Sequence, residues 1–305
     1  MSSGRILLLA PIPPEVRDRL AAENELVSYE KGASAPGFEI AVTTSMAGAN
    51  AALFNLVPDL KLLLCNGTGL DAIDVAEAGR RGIVVRNTPD EVVSDTADFA
   101  IGLLYAVGRR IAEGDRFVRA GRWGAERLSP ARRVSAMTIG IVGLGKIGQT
   151  IAARASGLGM TVLYTGPRRK DGVPFEYVGD VLELAERVDA LILSCPGGAE
   201  TRHLVDRAVL SRLGPDGIVV NVSRGSVVDE AALIAALESK SIRGAGLDVF
   251  DREPALDARF TGLENVVLSP HYAAVTLETR AAIGEALAGA VRDFRAGRKG
   301  AGAAQ

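Results

Sequence analysis

The sequence predicts an α/β protein in which parallel sheets are covered by helices on both faces. Short apolar runs that suit buried strands alternate with longer segments whose apolar residues recur at helical spacing. Residues 5–9, 62–65, 138–142 and 218–222 are such runs, and residues 14–22, 73–80 and 230–238 have the helical pattern between them. The chain has 305 residues, which suits two domains that can each bury a core.

Composition narrows the class of protein. Hydrophobic residues make up 48% and charged residues 24% of the chain, which is typical of a soluble globular protein. The net charge of −2 offers no basic field for nucleic acid. Residues 40–58 form the longest uncharged stretch, but they contain Thr, Ser and Asn, so we predict no membrane span.

The cysteines and the potential metal ligands narrow the class of protein further. The two cysteines, Cys65 and Cys195, each end an apolar run, which is typical of reduced core residues and predicts a cytoplasmic protein. No cluster of Cys, His and Asp has the spacing of metal ligands, so no metal is predicted.

The strongest single motif is TIGIVGLGKIGQ, at residues 138–149. Here the spacing GxGxxG lies between an apolar strand and a helical pattern, which makes it more specific than the glycines alone. Gly143 allows a tight turn, Gly145 allows a pyrophosphate to approach the backbone, and Gly148 allows close helix packing. The positive end of the helix would face the phosphates. The motif predicts a dinucleotide site at Gly143, Leu144, Gly145, Lys146, Ile147 and Gly148; the alternative is a glycine-rich turn without a ligand.

The loop after the next strand indicates which dinucleotide binds. An NAD site places an acidic residue roughly 20 residues past the glycines, where it bonds the ribose hydroxyls. This chain instead has TGPRRK at residues 165–170, with Arg168 and Arg169 and no acid. Because Arg can bind a 2′-phosphate in bidentate fashion, we predict NADPH (NADP+) as the preferred cofactor, with NADH used less efficiently. The alternative is a solvated basic loop.

Three polar residues follow three predicted strands: Arg224, Glu253 and His271. If these strands are parallel neighbours, the side chains open on the edge where the dinucleotide lies. A histidine suits proton donation near neutral pH, and a neighbouring carboxylate raises its pKa. An arginine can bind a carboxylate and polarise a carbonyl. Each residue alone also suits an ordinary structural role, so their convergence carries the prediction that a 2-oxo acid is reduced.

Two other segments stay open on this reasoning. Residues 66–71, NGTGLD, follow a strand and could hold a carboxylate through backbone N–H groups, or form an ordinary turn. A long helix, capped by Ser94 and running to about residue 120, is predicted to bridge two domains or to form a dimer surface.

From about residue 62 to 294, the sequence resembles the D-isomer-specific 2-hydroxyacid dehydrogenases. The matching motifs, in the family's order, are NGTGLDAID, NTPDEVVSDTADFAIGLL, GIVGLGKIGQTIA, NVSRGSVVDEAAL, GLDVFDREP and LSPHYAAVTLETR. The resemblance implies that Arg224, Glu253 and His271 are the catalytic set, and that Thr68 and Gly69 bind the substrate carboxylate. It also implies cofactor contacts from Thr96, Cys195, Pro196, Thr201, Val222 and Asp248.

The resemblance has consequences for domain order. It implies a Rossmann-type doubly wound domain, residues 99–275, inserted into a flavodoxin-like α/β substrate domain, residues 1–98 with 276–305. Family members are usually homodimers with the catalytic cleft between the domains. Within the family, YTGPRRK is most similar to NADPH-dependent glyoxylate and hydroxypyruvate reductases. Two departures are the Gly197-Gly198-Ala199 loop and Tyr272 directly after His271, which could narrow the pocket.

We therefore expect a cytoplasmic, homodimeric reductase that converts a small 2-oxo acid, glyoxylate or hydroxypyruvate, to the D-2-hydroxy acid with NADPH. Nucleic acid and membrane are not expected as partners. One alternative is an NAD-dependent D-2-hydroxyacid dehydrogenase of another substrate, such as phosphoglycerate. A second alternative is a non-catalytic scaffold that senses dinucleotides on the same fold.

Overall fold

The computed structural model describes residues 4–297, which fold as two compact units. The first unit contains the described residues up to Val92 and those from Val275, and the second contains Val93–Ala274. The domain limits taken from the sequence, after residues 98 and 275, stay predictions. In the structure the first division falls at the start of a helix, because that helix packs along its length on strands of the second unit.

The regular elements alternate as expected. The strands are β1 (Gly4–Leu8), β2 (Asn24–Ser28), β3 (Ile40–Thr44), β4 (Leu62–Asn66), β5 (Val84–Arg86), β6 (Thr138–Val142), β7 (Thr161–Thr165), β8 (Glu176–Tyr177), β9 (Ala190–Leu193), β10 (Ile218–Asn221), β11 (Gly244–Leu247) and β12 (Val266–Leu268). The helices are α1 (Pro14–Ala21), α2 (Ala51–Leu56), α3 (Val75–Arg80), α4 (Val93–Gly108), α5 (Ile111–Arg119), α6 (Lys146–Gly157), α7 (Val181–Glu186), α8 (Arg207–Leu213), α9 (Glu230–Glu238) and α10 (Leu277–Arg295).

The first unit is built on a five-stranded parallel sheet in the order β2-β1-β3-β4-β5. This is the strand order of flavodoxin-like folds, as expected. Its inner strands β3 and β4 are almost entirely buried, as parallel strands covered on both faces must be. The late helix α10 returns to this unit and packs on α1, where Gly284 leaves room for Val16 and Arg19.

The second unit is built on a seven-stranded parallel sheet in the order β12-β11-β10-β9-β6-β7-β8. The strand order reverses between β6 and β9, which makes the carboxyl end of β6 the topological switch point of a Rossmann-type sheet. One apolar cluster packs α4 and α6 on one face, and another packs α7, α8 and α9 on the other. The sheet is therefore doubly wound, as the sequence predicted.

The prediction of one long helix over residues 94–120 is wrong. The segment forms two helices, α4 and α5, because Arg110 between them has a left-handed backbone with φ 53°. The Arg110 guanidinium holds this break by donating to Glu113 and to the Ser129 carbonyl. Ser94 is not a cap either, since it lies inside α4 and accepts hydrogen bonds from the Arg154 guanidinium through its carbonyl and hydroxyl oxygens.

Helix α6 approaches the end of β6 closely enough to require glycine. A Cβ atom at Gly148 would lie 2.1 Å from the Gly143 carbonyl oxygen and 2.9 Å from the Ser194 hydroxyl. We predict that Gly148→Ala lowers the free energy of unfolding by about 1–3 kcal/mol, because backbone must shift to admit the methyl group. The measurement is a urea titration of the purified protein.

The matched control is Gly157→Ala in the same helix. A Cβ atom there meets no atom within 4 Å, and the Gly157 backbone is helical. This variant should be neutral or more stable by about 0.5–1 kcal/mol. Equal midpoints for the two variants would contradict close packing at Gly148.

Candidate active site

The glycine loop after β6 has the geometry that dinucleotide binding requires. Gly143 turns the chain with φ 93°, and a Cβ atom there would collide with the Cys195 backbone at 2.7 Å. Gly145 is different, because nothing lies within 4 Å of the position its Cβ would take. That open space lies directly at the start of α6, where Gly145 is the N-cap residue and makes no side-chain cap. The loop thus leaves a space at a helix N-terminus that suits a pyrophosphate.

Residues that flank the loop are placed at the same sheet edge. Cys195 and Pro196 follow β9 and Val222 follows β10, while Thr201 donates a 2.7 Å hydrogen bond to the Pro196 carbonyl and so closes the loop that holds Gly197 and Gly198. Cys195 is a buried thiol, and burial raises its pKa to about 11. Thr96 is buried within α4. The cofactor contacts of these residues stay predictions.

The basic loop after β7 is exposed. Arg168, Arg169 and Lys170 all face solvent, and the neighbouring Asp171 is the first acid after the strand. Neither the Arg168 nor the Arg169 guanidinium makes an ion pair or hydrogen bond with another residue in the described part of the chain. Their charge is therefore available to a ligand.

Arg224 is positioned by an amide at the end of β10. The Asn221 side chain accepts hydrogen bonds from the Ser223 N–H and hydroxyl, and it donates to the Arg224 carbonyl. The next residue, Gly225, lies against the backbone that follows β11, since its Cβ would be 1.9 Å from the Phe250 carbonyl carbon. The absence of a side chain at Gly225 allows the Arg224 turn and the Glu253 loop to come together.

Glu253 and His271 form a direct pair. The Glu253 Oε2 atom lies 2.6 Å from His271 Nδ1, and Glu253 Oε1 accepts a 3.0 Å bond from the Phe250 N–H. The Glu253 side chain is 19% exposed and the His271 side chain 44% exposed. Because β10, β11 and β12 are parallel neighbours, the loops that carry Arg224, Glu253 and His271 meet at one sheet edge.

Electrostatics of the pair favour the charged form of each group. The hydrogen bond to Glu253 raises the pKa of His271 above its usual 6.5, although burial and the charge of Arg224 oppose this. Burial acts to raise the pKa of Glu253, but the bonds from His271 and the Phe250 N–H outweigh it, so that pKa is lowered. Arg224 acts electrostatically on both members of the pair.

The turn that carries His271 is held by Asp248. His271 has φ 55°, a left-handed conformation that residues other than glycine adopt infrequently. The Asp248 carboxylate accepts bonds from the Ser269 hydroxyl at 2.6 Å, the Tyr272 N–H at 2.7 Å and the Ala273 N–H at 2.9 Å. The Asp248 carbonyl accepts from the His271 N–H. Asp248 therefore fixes the backbone on both sides of His271, and its predicted contact with the cofactor stays a prediction.

In the first unit, the loop after β4 is hydrogen-bonded to the loop after β5. The Gly67 N–H donates to the Thr88 hydroxyl, the Thr68 hydroxyl donates to the Thr88 carbonyl, and Asn87 donates to the Thr68 carbonyl at 2.7 Å. Within the described residues, the N–H groups of Thr68 and Gly69 have no acceptor. Two backbone donors therefore remain at the carboxyl end of β4.

Three residues that shape the site were not predicted from the sequence. Asn221, Gly225 and Ser269 had no role assigned to them, although each positions a residue that had one. Their position in the chain was the available signal, since each lies at the carboxyl end of a strand or within a few residues after it. Their partners are 3 to 25 residues away in sequence, which no local pattern reveals.

Residues 4–297 contain neither a cluster of metal ligands nor a membrane-spanning helix. No group of three or more His, Cys, Asp or Glu side chains among them comes together as a metal site would need. None of the helices in that range has the length and hydropathy that a bilayer span requires.

Comparison with known proteins accounts for this arrangement. Residues 101–273 match the model of the D-isomer specific 2-hydroxyacid dehydrogenase NAD binding domain. The chain belongs to the D-isomer-specific 2-hydroxyacid dehydrogenases. The family inferred from the motifs is thereby confirmed, as is an NAD(P)-dependent dehydrogenase built on a Rossmann-type domain.

Individual members of the family align over most of their length. A hydroxyphenylpyruvate reductase of Plectranthus scutellarioides is 39% identical over 276 residues, 90% of this chain and 85% of that protein. Glyoxylate/hydroxypyruvate reductase A of Arabidopsis thaliana is 42% identical over 248 residues, 81% of this chain and 79% of that protein.

A solved relative supports the fold directly. It is an NADPH-dependent glyoxylate/hydroxypyruvate reductase from Sinorhizobium meliloti in complex with NADP and malonate. The match has a TM-score of 0.89 and 37% sequence identity, and it covers 96% of this chain and 94% of that one.

The Glu253–His271 pair gives a prediction that needs no substrate. The chain has two histidines, His203 and His271, so their imidazole signals can be followed separately by NMR during a pH titration. We expect the His271 midpoint above 6.5 in the wild type and a lower midpoint in Glu253→Gln, because the carboxylate stabilises the imidazolium.

The His203 signal is the internal reference, and Glu230→Gln is the matched control. Glu230 also accepts a backbone N–H near this edge, from Asp251, but it does not contact His271. The control should leave the His271 midpoint in place. A midpoint that is the same in wild type and Glu253→Gln would contradict the coupling.

Proposed function

We propose that this protein is an NADPH-preferring reductase that converts a small 2-oxo acid to the D-2-hydroxy acid, with glyoxylate and hydroxypyruvate as substrates. The observation that carries the proposal is the Glu253–His271 pair, with Arg224 beside it, at the edge of the sheet that also holds the glycine loop. Reduction of a carbonyl consumes one hydride and one proton. The nicotinamide, when bound, supplies the hydride.

His271 supplies the proton in this proposal. Its Nδ1 atom is engaged by Glu253, which leaves Nε2 to donate to the carbonyl oxygen. The raised pKa of His271 keeps the imidazole protonated further into the neutral range. After transfer, the neutral imidazole remains hydrogen-bonded to Glu253 and takes up a proton from water.

Arg224 and the loop after β4 each offer donors that suit an acid group. The Arg224 guanidinium can grip the carboxylate and polarise the adjacent carbonyl. The N–H groups of Thr68 and Gly69, which lack acceptors within the described residues, also suit a carboxylate. This division of roles fits a carboxylate next to a carbonyl, which defines a 2-oxo acid.

The size of the 2-oxo acid that the site accepts is a more detailed part of the proposal. Tyr272 follows His271 and is 51% exposed. We propose that this ring limits the space beyond the carbonyl carbon, which favours small acids. A second candidate is an aromatic 2-oxo acid, because one relative is named a hydroxyphenylpyruvate reductase and an exposed tyrosine can stack on a ring.

The substrate proposal predicts a ranking of kcat/KM with NADPH. Glyoxylate and hydroxypyruvate should exceed pyruvate, 2-oxoisocaproate, phenylpyruvate and 4-hydroxyphenylpyruvate, and hydroxypyruvate should give D-glycerate. Tyr272→Ala should improve the aromatic acids relative to glyoxylate, since one apolar contact changes discrimination by about 1–3 kcal/mol. The measurement is NADPH oxidation, with chiral analysis of the glycerate.

Different rankings decide between the alternatives. Aromatic acids above both small acids would support the second candidate, and L-glycerate would overturn the stereochemistry. No turnover with any 2-oxo acid, in protein that binds NADPH, would support a dinucleotide-sensing scaffold. Activity only with NADH and a phosphorylated acid would support a dehydrogenase of the phosphoglycerate type.

Cofactor preference is proposed from Arg168 and Arg169. Removing both in Arg168→Ala/Arg169→Ala should lower kcat/KM for NADPH tenfold or more, since a charged hydrogen bond contributes about 1.5–3 kcal/mol. NADH should change much less because it lacks the 2′-phosphate. The matched control is Arg207→Ala, an exposed arginine at the start of α8. Equal losses for the two cofactors would contradict the proposal.

We also propose a cytoplasmic homodimer. The cytoplasmic location is supported by two free, buried thiols, Cys65 and Cys195. The dimer is supported by large apolar side chains that are exposed between residues 111 and 128, namely Ile111, Val118, Trp123 and Leu128. Sedimentation should give twice the chain mass, and Trp123→Arg should shift the protein to monomer. A wild-type monomer at micromolar concentration would contradict the proposal.

A further inference from the structure

Two tyrosines stand side by side behind the basic loop. Tyr164 in β7 and Tyr177 in β8 are directly paired in the parallel register of those strands. Their ring centroids are 5.3 Å apart with an interplanar angle of 53°. Tyr164 is 1% exposed and lies within the apolar cluster that packs α4 and α6 on the sheet. Tyr177 is half-buried and packs against the same cluster.

The two hydroxyls hold the two ends of the loop. The Lys170 N–H donates to the Tyr164 hydroxyl at 2.7 Å, and the Tyr177 hydroxyl donates to the Gly166 carbonyl at 3.0 Å. Gly166 is the first residue after β7, and Lys170 is the last of the basic run. Arg168 and Arg169 lie between these two anchored residues. The loop is thus tied at both ends to neighbouring strands.

Packing alone does not explain why tyrosine, and not phenylalanine, occupies these two positions. Phenylalanine would fill the same apolar space, and a hydroxyl buried without a partner would destabilise the fold. Among the described residues, the two hydroxyls form hydrogen bonds only with the backbone of the basic loop. The hydroxyls therefore serve the loop conformation.

We propose that Tyr164 and Tyr177 are positioning residues for cofactor choice, which hold the residue 166–170 loop so that Arg168 and Arg169 meet the 2′-phosphate of NADPH. The inference rests on the proposed NADPH preference and adds two residues to it. Neither tyrosine touches the phosphate in this role, since each acts through the backbone. Their effect should therefore disappear when the arginines are absent.

The test is a double-mutant cycle with steady-state kinetics for NADPH and NADH. Tyr164→Phe and Tyr177→Phe keep the rings and remove the hydroxyls. Each should raise KM for NADPH about two- to tenfold, the effect of one neutral hydrogen bond, with kcat and the NADH constants within twofold of wild type. In the Arg168→Ala/Arg169→Ala background, the same changes should have no further effect on NADPH.

The control is Tyr105→Phe, a partly buried tyrosine of α4 that packs on the same cluster. It should leave the NADPH to NADH ratio unchanged. Thermal melting of each variant confirms folding, and if Tyr164→Phe does not fold, Tyr177→Phe tests the proposal from the half-buried side.

The remaining outcomes distinguish failure of the tyrosine inference from failure of the cofactor proposal. Equal losses for both cofactors, or an effect that persists without the arginines, would make the tyrosines merely structural. An unchanged ratio in both tyrosine variants, while the arginine variant loses NADPH, would overturn the inference alone. If the arginine variant itself keeps the wild-type ratio, the cofactor proposal fails and the inference fails with it.

Discussion

The carboxylate of Asp248 is the constraint on which the candidate site depends. It is 1% exposed, and burying a charge is costly unless hydrogen bonds replace water. Three donors do so, and all three belong to the chain that surrounds His271. The Asp248 N–H also donates to the Asn221 carbonyl, and the Asn221 side chain holds the Arg224 turn. One bonded chain thus links the ends of β10, β11 and β12, and it holds His271 in a left-handed conformation that is unfavourable in isolation.

The Glu253–His271 pair couples this geometry to pH. Because the folded-state pKa of His271 is raised, the pair stabilises the fold fully below the unfolded value of 6.5, and this stabilisation is lost as pH rises through the folded value. The lowered pKa of Glu253 acts at the other end: its contribution is present above 4.5 and is lost as pH falls through the folded value. Between these limits both charges are present, and the proton needed for reduction is held at the sheet edge.

Local patterns in the sequence were enough for the alternation of strands and helices, the glycine loop and the strand-end residues. They work because strand burial and GxGxxG spacing are properties of consecutive residues. They failed at Arg110, where an arginine takes the left-handed conformation usually given to glycine or asparagine, so the break between α4 and α5 had no signal. They also failed at Ser94, whose oxygens accept from Arg154, 60 residues away. Bonds of this kind depend on how helices pack, which no short window contains.

The function of the basic loop also depends on residues that a short stretch of sequence does not contain. Two adjacent arginines indicate a phosphate partner, but long side chains on a mobile backbone lose much entropy on binding, about 2 kcal/mol of rotamer freedom for each arginine. Backbone ordering would add about 1–2 kcal/mol for each residue fixed. A loop already held at Gly166 and Lys170 by the hydroxyls of Tyr164 and Tyr177 does not have to be ordered again when the ligand arrives. The strength of such a phosphate site therefore depends on side chains in β7 and β8 as well as on the arginines that would meet the charge.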